Sequence, residues 1–198
     1  MSPPLGREPA IASQLAALVV MGETAQLPGN VTPVAEYNVW ADPEAARVVL
    51  GSRAPITMVG WDISRLYATF APDDAAGLRA VGTDLAHFSV DIQRVLDEFA
   101  RQRSPLAGFD LPNPIAMAVA LDPAVATEAG DFFVAVETGG EWTRGQTIVD
   151  RLGVTGRRPN ARVVLAADRE RFLELLYRAV AREPAATAAA ARLGLSPT

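Results

Sequence analysis

The sequence predicts an α/β protein in which a mostly parallel sheet is flanked by helices. Two short apolar segments, residues 17–21 and 55–60, carry no charged side chain, which is typical of strands buried on both faces of a parallel sheet. Between them Asp42 and Pro43 begin a helix, because aspartate accepts hydrogen bonds from free backbone N–H groups and proline suits the first helical turn. This order of strand, helix and strand predicts a right-handed βαβ unit.

The other elements in the first half of the chain follow from local patterns. Residues 11–15 end a short helix, and residues 22–37 form a long loop punctuated by Gly and Pro. The helix that begins at Asp42 is expected to bury Val48, Val49 and Leu50. Further on, apolar residues at helical spacing predict one amphipathic helix with a buried face, and His87 is an exposed residue at its start. The apolar positions of that helix are Phe88, Ile92, Val95, Leu96 and Phe99.

The second half of the chain adds a loop at 105–114, a helix at 115–121, strands at 132–136, 147–149 and 162–166, and a last helix with Phe172, Leu173, Leu176 and Val180 on its apolar side. Gly139 and Gly140 mark a hairpin between the first two of these strands, because they lack the spacing of a phosphate-binding loop. Asp168 is placed to cap the last helix. The whole chain, 1–198, is predicted to form a single domain in which the alanine-rich residues 183–198 are a frayed helix or a disordered tail.

Composition excludes several classes of protein. The 198 residues carry a net charge of −5, which disfavours nucleic acid or an anionic membrane as a partner because both attract basic surfaces. The absence of cysteine excludes disulfides and thiolate chemistry, and the single histidine leaves no multi-histidine zinc site. No apolar segment is long enough to span a bilayer, so a cytoplasmic protein is expected.

The most informative polar segment follows the first predicted strand and contains Asn30, Glu36 and Asn38. Ligands of open α/β sheets gather beyond the carboxyl ends of the strands. Two carboxamides and one carboxylate within nine residues could direct several donors and acceptors at a sugar ring. A solvated loop with helix-capping residues explains the same composition, so the residues alone leave both interpretations open.

Several separated segments narrow this choice: VVMG at 19–22, GNVTPVAEYN at 29–38, DPEAA at 42–46, ITMVGWD at 56–62, VETGGEWTRG at 136–145 and VD at 149–150. In this order they strongly resemble the inosine/uridine-preferring nucleoside hydrolase family. The resemblance runs collinearly from about residue 7 to about residue 180, which is nearly the whole chain.

The resemblance implies a Rossmann-like fold, a bound calcium ion and hydrolysis of a ribonucleoside to ribose and free base, a reaction of purine and pyrimidine salvage. By motif, Asn30 and Glu36 are expected to face the 5′-hydroxyl of ribose, and Asn38 the 2′- and 3′-hydroxyls. Met21 is expected to line the pocket near the sugar. Hydrogen bonds to ribose that tighten in the transition state would also assist catalysis. Asn113 matches a metal-binding position of the family.

Two departures from the family pattern shape the expected activity. The aspartate-rich motif D-x-D-x-x-x-D-D does not occur in the chain, and Pro112-Asn113-Pro114 stands where the family usually has His-Asp-Pro. No catalytic residue is therefore assigned, and calcium is expected to bind weakly or not at all, because Asn113 offers only a neutral amide. The chain is expected to represent the C-terminal portion of the fold, as a truncated gene product or one half of a split enzyme.

Three functional readings follow from this incomplete match. The first is a nucleoside hydrolase-like chain that hydrolyses nucleosides negligibly by itself. The second is a non-catalytic module that binds ribose or a nucleoside. The third is a subunit whose exposed sheet edge requires a complementary N-terminal chain. A homo-oligomer is compatible with each, and the choice between purine and pyrimidine stays open.

Overall fold

A computed structural model describes residues 8–103 and 108–181, and these residues divide into two compact units. The first unit contains residues 8–68 and 111–169, and the second contains the described residues of 69–110 together with 170–181. The described strands are β1 (Leu18–Met21), β2 (Ile56–Val59), β3 (Thr69–Phe70), β4 (Phe109–Asp110), β5 (Ala126–Val136), β6 (Thr147–Asp150) and β7 (Ala161–Ala167).

The described α-helices are α1 (Tyr37–Ala41), α2 (Pro43–Leu50), α3 (Trp61–Tyr67), α4 (Pro72–Arg79), α5 (Asp84–Asp91), α6 (Arg94–Arg103), α7 (Pro112–Leu121) and α8 (Arg169–Val180). Two short 3₁₀-helices, Pro9–Gln14 and Pro123–Val125, accompany them. Within these ranges no helix combines the length and the apolar character needed to cross a membrane.

The first unit is built on a five-stranded mixed sheet with the order β1-β2-β7-β5-β6. Strands β1, β2 and β7 run parallel, and β5 is antiparallel to both β7 and β6. The predicted hairpin between β5 and β6 is therefore present, although β5 begins six residues earlier than expected, at Ala126 rather than 132. The α/β class predicted from the sequence is confirmed.

The predicted strand–helix–strand unit is present as β1, α2 and β2. Met21 pairs in register with Val59, and the Asp42 side chain caps α2 by accepting a hydrogen bond from the backbone N–H of Ala45 at 2.9 Å. One part of the prediction is wrong, because Val48 is 37% exposed while Leu50 is buried. Ala46, Val49 and Leu50, which are three and four positions apart, pack against the core, and Val48 lies on another side of the helix.

The second unit overturns the prediction of one long amphipathic helix over 88–99. The chain instead forms α5 and α6, which are separated by a turn at Ile92 and Gln93, where the N–H of Gln93 bonds to the carbonyl of Val90 three residues earlier. The residue that α5 buries is Ala86, and the predicted apolar face is largely exposed. Phe88, Ile92, Val95 and Leu96 are more than half exposed. His87 is also exposed, within α5, and the side chain of Phe99 lies outside the described part of the structure.

The core of the second unit comes from other residues. Phe172 and Val180 of α8 are buried, as predicted for the last helix, and Leu78 of α4 and the pair Phe70 and Phe109 are buried in the same unit. The loop predicted over 105–114 contains β4, and α7 begins at Pro112, three residues earlier than predicted. Proline is tolerated there because the first N–H groups of a helix have no intrahelical partner. The predicted tail at 183–198 lies outside the described residues.

Candidate functional site

The polar loop that follows β1 folds back over the end of that strand. Its tip is closed by backbone hydrogen bonds from Gly29 to Pro33 and from Asn30 to Ala35, both at 3.1 Å. The loop then enters α1, where the side-chain amide of Asn38 donates to Met21, at 3.4 Å to the carbonyl oxygen and 3.1 Å to Sδ. The loop therefore lies at the carboxyl end of β1, where a ligand of an α/β sheet is expected.

Glu36 is buried and held by hydrogen bonds within this loop. Its side chain is only 3% exposed, and Oε2 accepts hydrogen bonds from the backbone N–H groups of Asn38 at 2.8 Å and Val39 at 3.2 Å. The carboxylate thus caps the N-terminus of α1. Burial raises the pKa of Glu36, and the backbone amides around it oppose that shift by favouring the charged form. Glu36 is consequently held in one orientation beside Met21 and Asn38.

The other predicted residues differ in what surrounds them. Asn30 is exposed, and its Oδ1 accepts a hydrogen bond from the Tyr37 backbone N–H at 2.9 Å, so the side chain already links the loop to α1. Asn113 is exposed near the start of α7, and no described hydrogen bond connects it with Glu36 or Asn38. The structure brings Met21, Glu36 and Asn38 together, and their roles toward a sugar stay predictions.

Two further carboxylic acids lie beside this group and were assigned no role from the sequence. Glu23 follows β1 and Asp62 follows β2, and both side chains are fully buried at 0% exposed. Asp62 accepts hydrogen bonds from the backbone N–H groups of Ala25 at 3.0 Å, and of Gln26 and Ile63 at 2.9 Å. Asp62 therefore ties the loop after β1 to the start of α3.

Glu23 is unlike its neighbours because neither carboxyl oxygen has a hydrogen-bond partner among the described residues. Its backbone has a φ of +86°, a left-handed conformation that favours glycine. Burial raises the pKa of Glu23 well above its ordinary value, and the nearby charges of Asp62 and Glu36 raise it further. Burial also raises the pKa of Asp62, against the effect of its backbone donors.

Gly60 allows these acids to approach one another. A Cβ atom added at Gly60 would contact Oδ1 of Asp62 and would lie 2.8 Å from Oε1 of Glu23. Only glycine leaves room at this point, so the two carboxyl groups share one side of the β2 terminus. The sequence signal that could have identified these two acids is their position, one or two residues after the glycine that follows a buried strand.

The hairpin between β5 and β6 holds the helices that carry the site. Arg144 makes two hydrogen bonds with the Glu44 carboxylate of α2, at 2.6 and 2.9 Å, and a third with the carbonyl oxygen of Thr138 at 2.6 Å. Gly145 has a φ of +84° and packs so closely on α1 that an added Cβ would lie 2.7 Å from the Cα of Trp40. The hairpin residues that resemble the family therefore have a structural role, because they hold α1 and α2 beside the loop.

The donors available for calcium can be compared with what the ion requires. Calcium takes six to eight oxygen ligands, usually including several carboxylates. Within the described ranges, no three or more Asp, Glu, His or Cys side chains are arranged to hold a metal ion. Asn113 offers a neutral amide, and the oxygens of Asp62 are already engaged by backbone N–H groups. The donors in this part of the chain do not fit a calcium ion.

Carboxylate and carboxamide groups at the carboxyl end of a parallel strand can bind a ligand rich in hydroxyl groups, since each hydroxyl both donates and accepts. The fold and this edge define a Rossmann-like α/β protein with a candidate site for a polar ligand. The family described as inosine-uridine preferring nucleoside hydrolase matches residues 5–174. The chain belongs to the inosine-uridine preferring nucleoside hydrolase family.

Individual relatives agree with this assignment. The pyrimidine-specific ribonucleoside hydrolase RihA of Shewanella woodyi is 39% identical over 176 residues, which cover 87% of this chain and 54% of that protein. RihA of Escherichia coli K12 is 35% identical over 173 residues, with 87% and 55% covered. The chain spans about half the length of these relatives.

Solved structures give the same result for the fold. The purine-preferring ribonucleoside hydrolase from Gardnerella vaginalis matches with a TM-score of 0.79 at 29% identity, covering 89% of this chain and 55% of that one. An inosine-guanosine nucleoside hydrolase matches with a TM-score of 0.81 at 27% identity, covering 91% and 58%. The Rossmann-like expectation is thereby confirmed.

Proposed function

We propose that this chain binds the ribose of a ribonucleoside at the end of β1 and forms part of a nucleoside N-ribohydrolase, without hydrolysing nucleosides by itself. The family reaction breaks the N-glycosidic bond and releases ribose and free base. Glu36 and Asn38 would accept and donate hydrogen bonds to ribose hydroxyls, and Met21 would pack near the sugar. Asn30 would contribute to the 5′ side of the same pocket.

The observation that carries this proposal is the fixed carboxylate of Glu36. Two backbone N–H groups hold Oε2, so the side chain is oriented before any ligand arrives. A preoriented acceptor costs little conformational entropy on binding, which favours recognition of a sugar hydroxyl. Capping of α1 explains only the hydrogen bonds of Oε2. The exposed Asn38 beside Glu36 supplies a second polar group that helix capping does not require.

The residues of this site do not indicate which base the nucleoside carries. Relatives named for pyrimidine specificity and neighbours named for purine preference match the chain over similar lengths. The polar groups described here suit a ribose, which all ribonucleosides share. We therefore propose ribonucleosides as the ligand class and assign no base.

Hydrolysis requires groups that this chain does not supply. The sequence has no aspartate-rich motif, and the described residues do not fit calcium, the ion that the family resemblance implies. We propose that water activation depends on carboxylates from the part of the family fold that these 198 residues do not contain. Calcium would then bind weakly or not at all to this chain alone. The alternative is a non-catalytic module that binds ribose or a nucleoside.

The test is calorimetric titration of the purified chain with D-ribose and with inosine and uridine. We expect dissociation constants of about millimolar or weaker, because a site that lacks several contacts keeps only part of its binding free energy. Asn38→Ala removes an exposed side chain and should abolish the signal, as should Glu36→Ala. Glu128→Ala, an exposed glutamate on β5, is the matched control and should bind like the parent. Binding that persists unchanged in both site variants would contradict the proposal.

A further inference from the structure

Glu23 stands out because the fold buries it without satisfying it. Asp62 accepts three backbone hydrogen bonds and Glu36 accepts two, whereas both oxygens of Glu23 lack a partner among the described residues. An isolated buried carboxylate costs so much free energy that the group takes up a proton instead. Of the three acids, Glu23 is therefore the one whose protonated form the fold favours most strongly.

The backbone at residues 22–23 also lies next to the carboxylate of Glu36. Its backbone amide is among the groups that favour the charged form of the Glu36 carboxylate. The preceding residue, Gly22, lies so close that a Cβ added there would be 3.4 Å from Oε2 of Glu36. On the other side, Oε1 of Glu23 faces the same point beside Gly60 as Oδ1 of Asp62. A shift of Glu23 would thus move a backbone group that holds Glu36.

We propose that Glu23 is a positioning residue for Glu36, a buried acid that must keep its proton for ribose to bind. This inference rests on the proposed function. The charged groups that act on Glu23 are Asp62 at the start of α3 and Glu36 at the N-cap of α1, and both are acidic. Ionised Glu23 would add a third negative charge with no donor to receive it. Repulsion and the gain of hydration then displace residues 22–23, and Glu36 loses its orientation.

The inference predicts a pH profile for ribose binding with two limbs. Affinity rises with pH as Glu36 ionises, because a carboxylate accepts hydrogen bonds from hydroxyls, and falls at higher pH as Glu23 ionises. Above the pKa of Glu23, the competent protonated fraction falls tenfold per pH unit, so the apparent dissociation constant should rise by about the same factor. The falling limb belongs to Glu23 and the rising limb to Glu36.

The experiment is calorimetric titration with D-ribose from about pH 5 to about pH 10 for the parent, Glu23→Gln and Glu128→Gln. Glutamine has the shape of a protonated glutamic acid and does not ionise, so Glu23→Gln should lose the falling limb and keep the rising one. Glu128→Gln controls for a change of surface charge and should keep both limbs. A falling limb in Glu23→Gln that parallels the parent would overturn the inference.

Two further measurements keep the test decisive. Glu23→Gly suits the positive φ and removes the acid, so it too should lose the falling limb if Glu23→Gln fails to fold. Infrared spectroscopy at neutral pH should show a protonated carboxyl band in the parent that is missing from Glu23→Gln, and an unchanged spectrum would overturn the inference. A parent that binds no ribose at any pH contradicts the proposed function itself, whereas binding with parallel profiles contradicts only the role of Glu23.

Discussion

At the scale of single residues, two buried acids near the end of β1 differ in their hydrogen bonding: Glu36 accepts backbone hydrogen bonds, and Glu23 accepts none from the described residues. Glu36 is buried but accepts hydrogen bonds from backbone N–H groups. Glu23 is buried in a left-handed conformation, and its carboxyl oxygens have no partner in the described part of the chain. Strained or unsatisfied groups destabilise a fold and are concentrated at functional sites. Both acids lie at the carboxyl end of β1, where the polar side chains of the loop collect.

Glu23 should make stability decline as pH rises. Because its pKa in the folded state is raised above the ordinary value of 4.5, the folded chain retains a proton that the unfolded chain releases. Between these two pKa values Glu23 should lower the free energy of unfolding by about 1.4 kcal/mol per pH unit. Urea unfolding of the parent and of Glu23→Gln at several pH values measures this. The slope should be shallower in the variant, and equal slopes would contradict the assignment of the proton to Glu23.

At the scale of elements, helices α5 and α6 show how a periodic pattern can misidentify the buried face. The apolar residues recur at helical spacing, but the helix breaks after Asp91 and α5 packs through the small residue Ala86. At about 100° per residue, Phe88 and Ile92 lie on the side of the helix away from Ala86, and both are more than half exposed. The hydrophobic core of the second unit is instead supplied by residues such as Phe172.

Two phenylalanines of the second unit provide a matched test of this burial. Phe88 is 58% exposed and Phe172 is 1% exposed, and both lie on helices. Phe172→Ala should lower the free energy of unfolding by about 3–5 kcal/mol, because it removes a buried ring and leaves a cavity. Phe88→Ala should change it by no more than about 0.5 kcal/mol. Chemical denaturation of both variants checks this, and a large loss for Phe88→Ala would restore the original interpretation of a buried face.

At the scale of the whole molecule, the chain spans about half the length of its relatives. The residues proposed to contact ribose all lie within residues 21–38, from the end of β1 to the first turn of α1. The carboxylates that the family resemblance assigns to calcium are not in this sequence. In the proposed function, ligand binding and hydrolysis are therefore separable.

The chain alone should release no measurable base from inosine or uridine, and millimolar calcium should not change that. Asn113→Asp should remain inactive, because one added carboxylate does not supply the several oxygens that calcium requires. Adding a separate fragment that carries the aspartate-rich motif should restore hydrolysis if the chain is half of an enzyme. Without restoration, the ribose-binding module is the better description. Robust calcium-dependent release by the unmodified chain would show that the active site is complete without these aspartates.

The sequence by itself determined the parts of the protein that depend on neighbouring residues. The apolar strands β1 and β2, the Asp42 cap, the β5–β6 hairpin and the position of the loop at the end of β1 follow from periodicity, turn chemistry and the order of elements. The motif segments also identified the family. These features are local, since the residues that define each of them lie within a few positions of one another.

The tertiary structure alone decided which side chains meet. Glu23 and Asp62 lie 39 positions apart in the sequence, yet the parallel pairing of β1 with β2 ends both strands at one edge and brings their acids together. At that buried edge the carboxylate of Asp62 accepts backbone hydrogen bonds, whereas that of Glu23 accepts none from the described residues. No local sequence pattern predicts this difference. The exposed face of α5 has the same origin, because a helix buries the side that its neighbours fit, whichever side is more apolar.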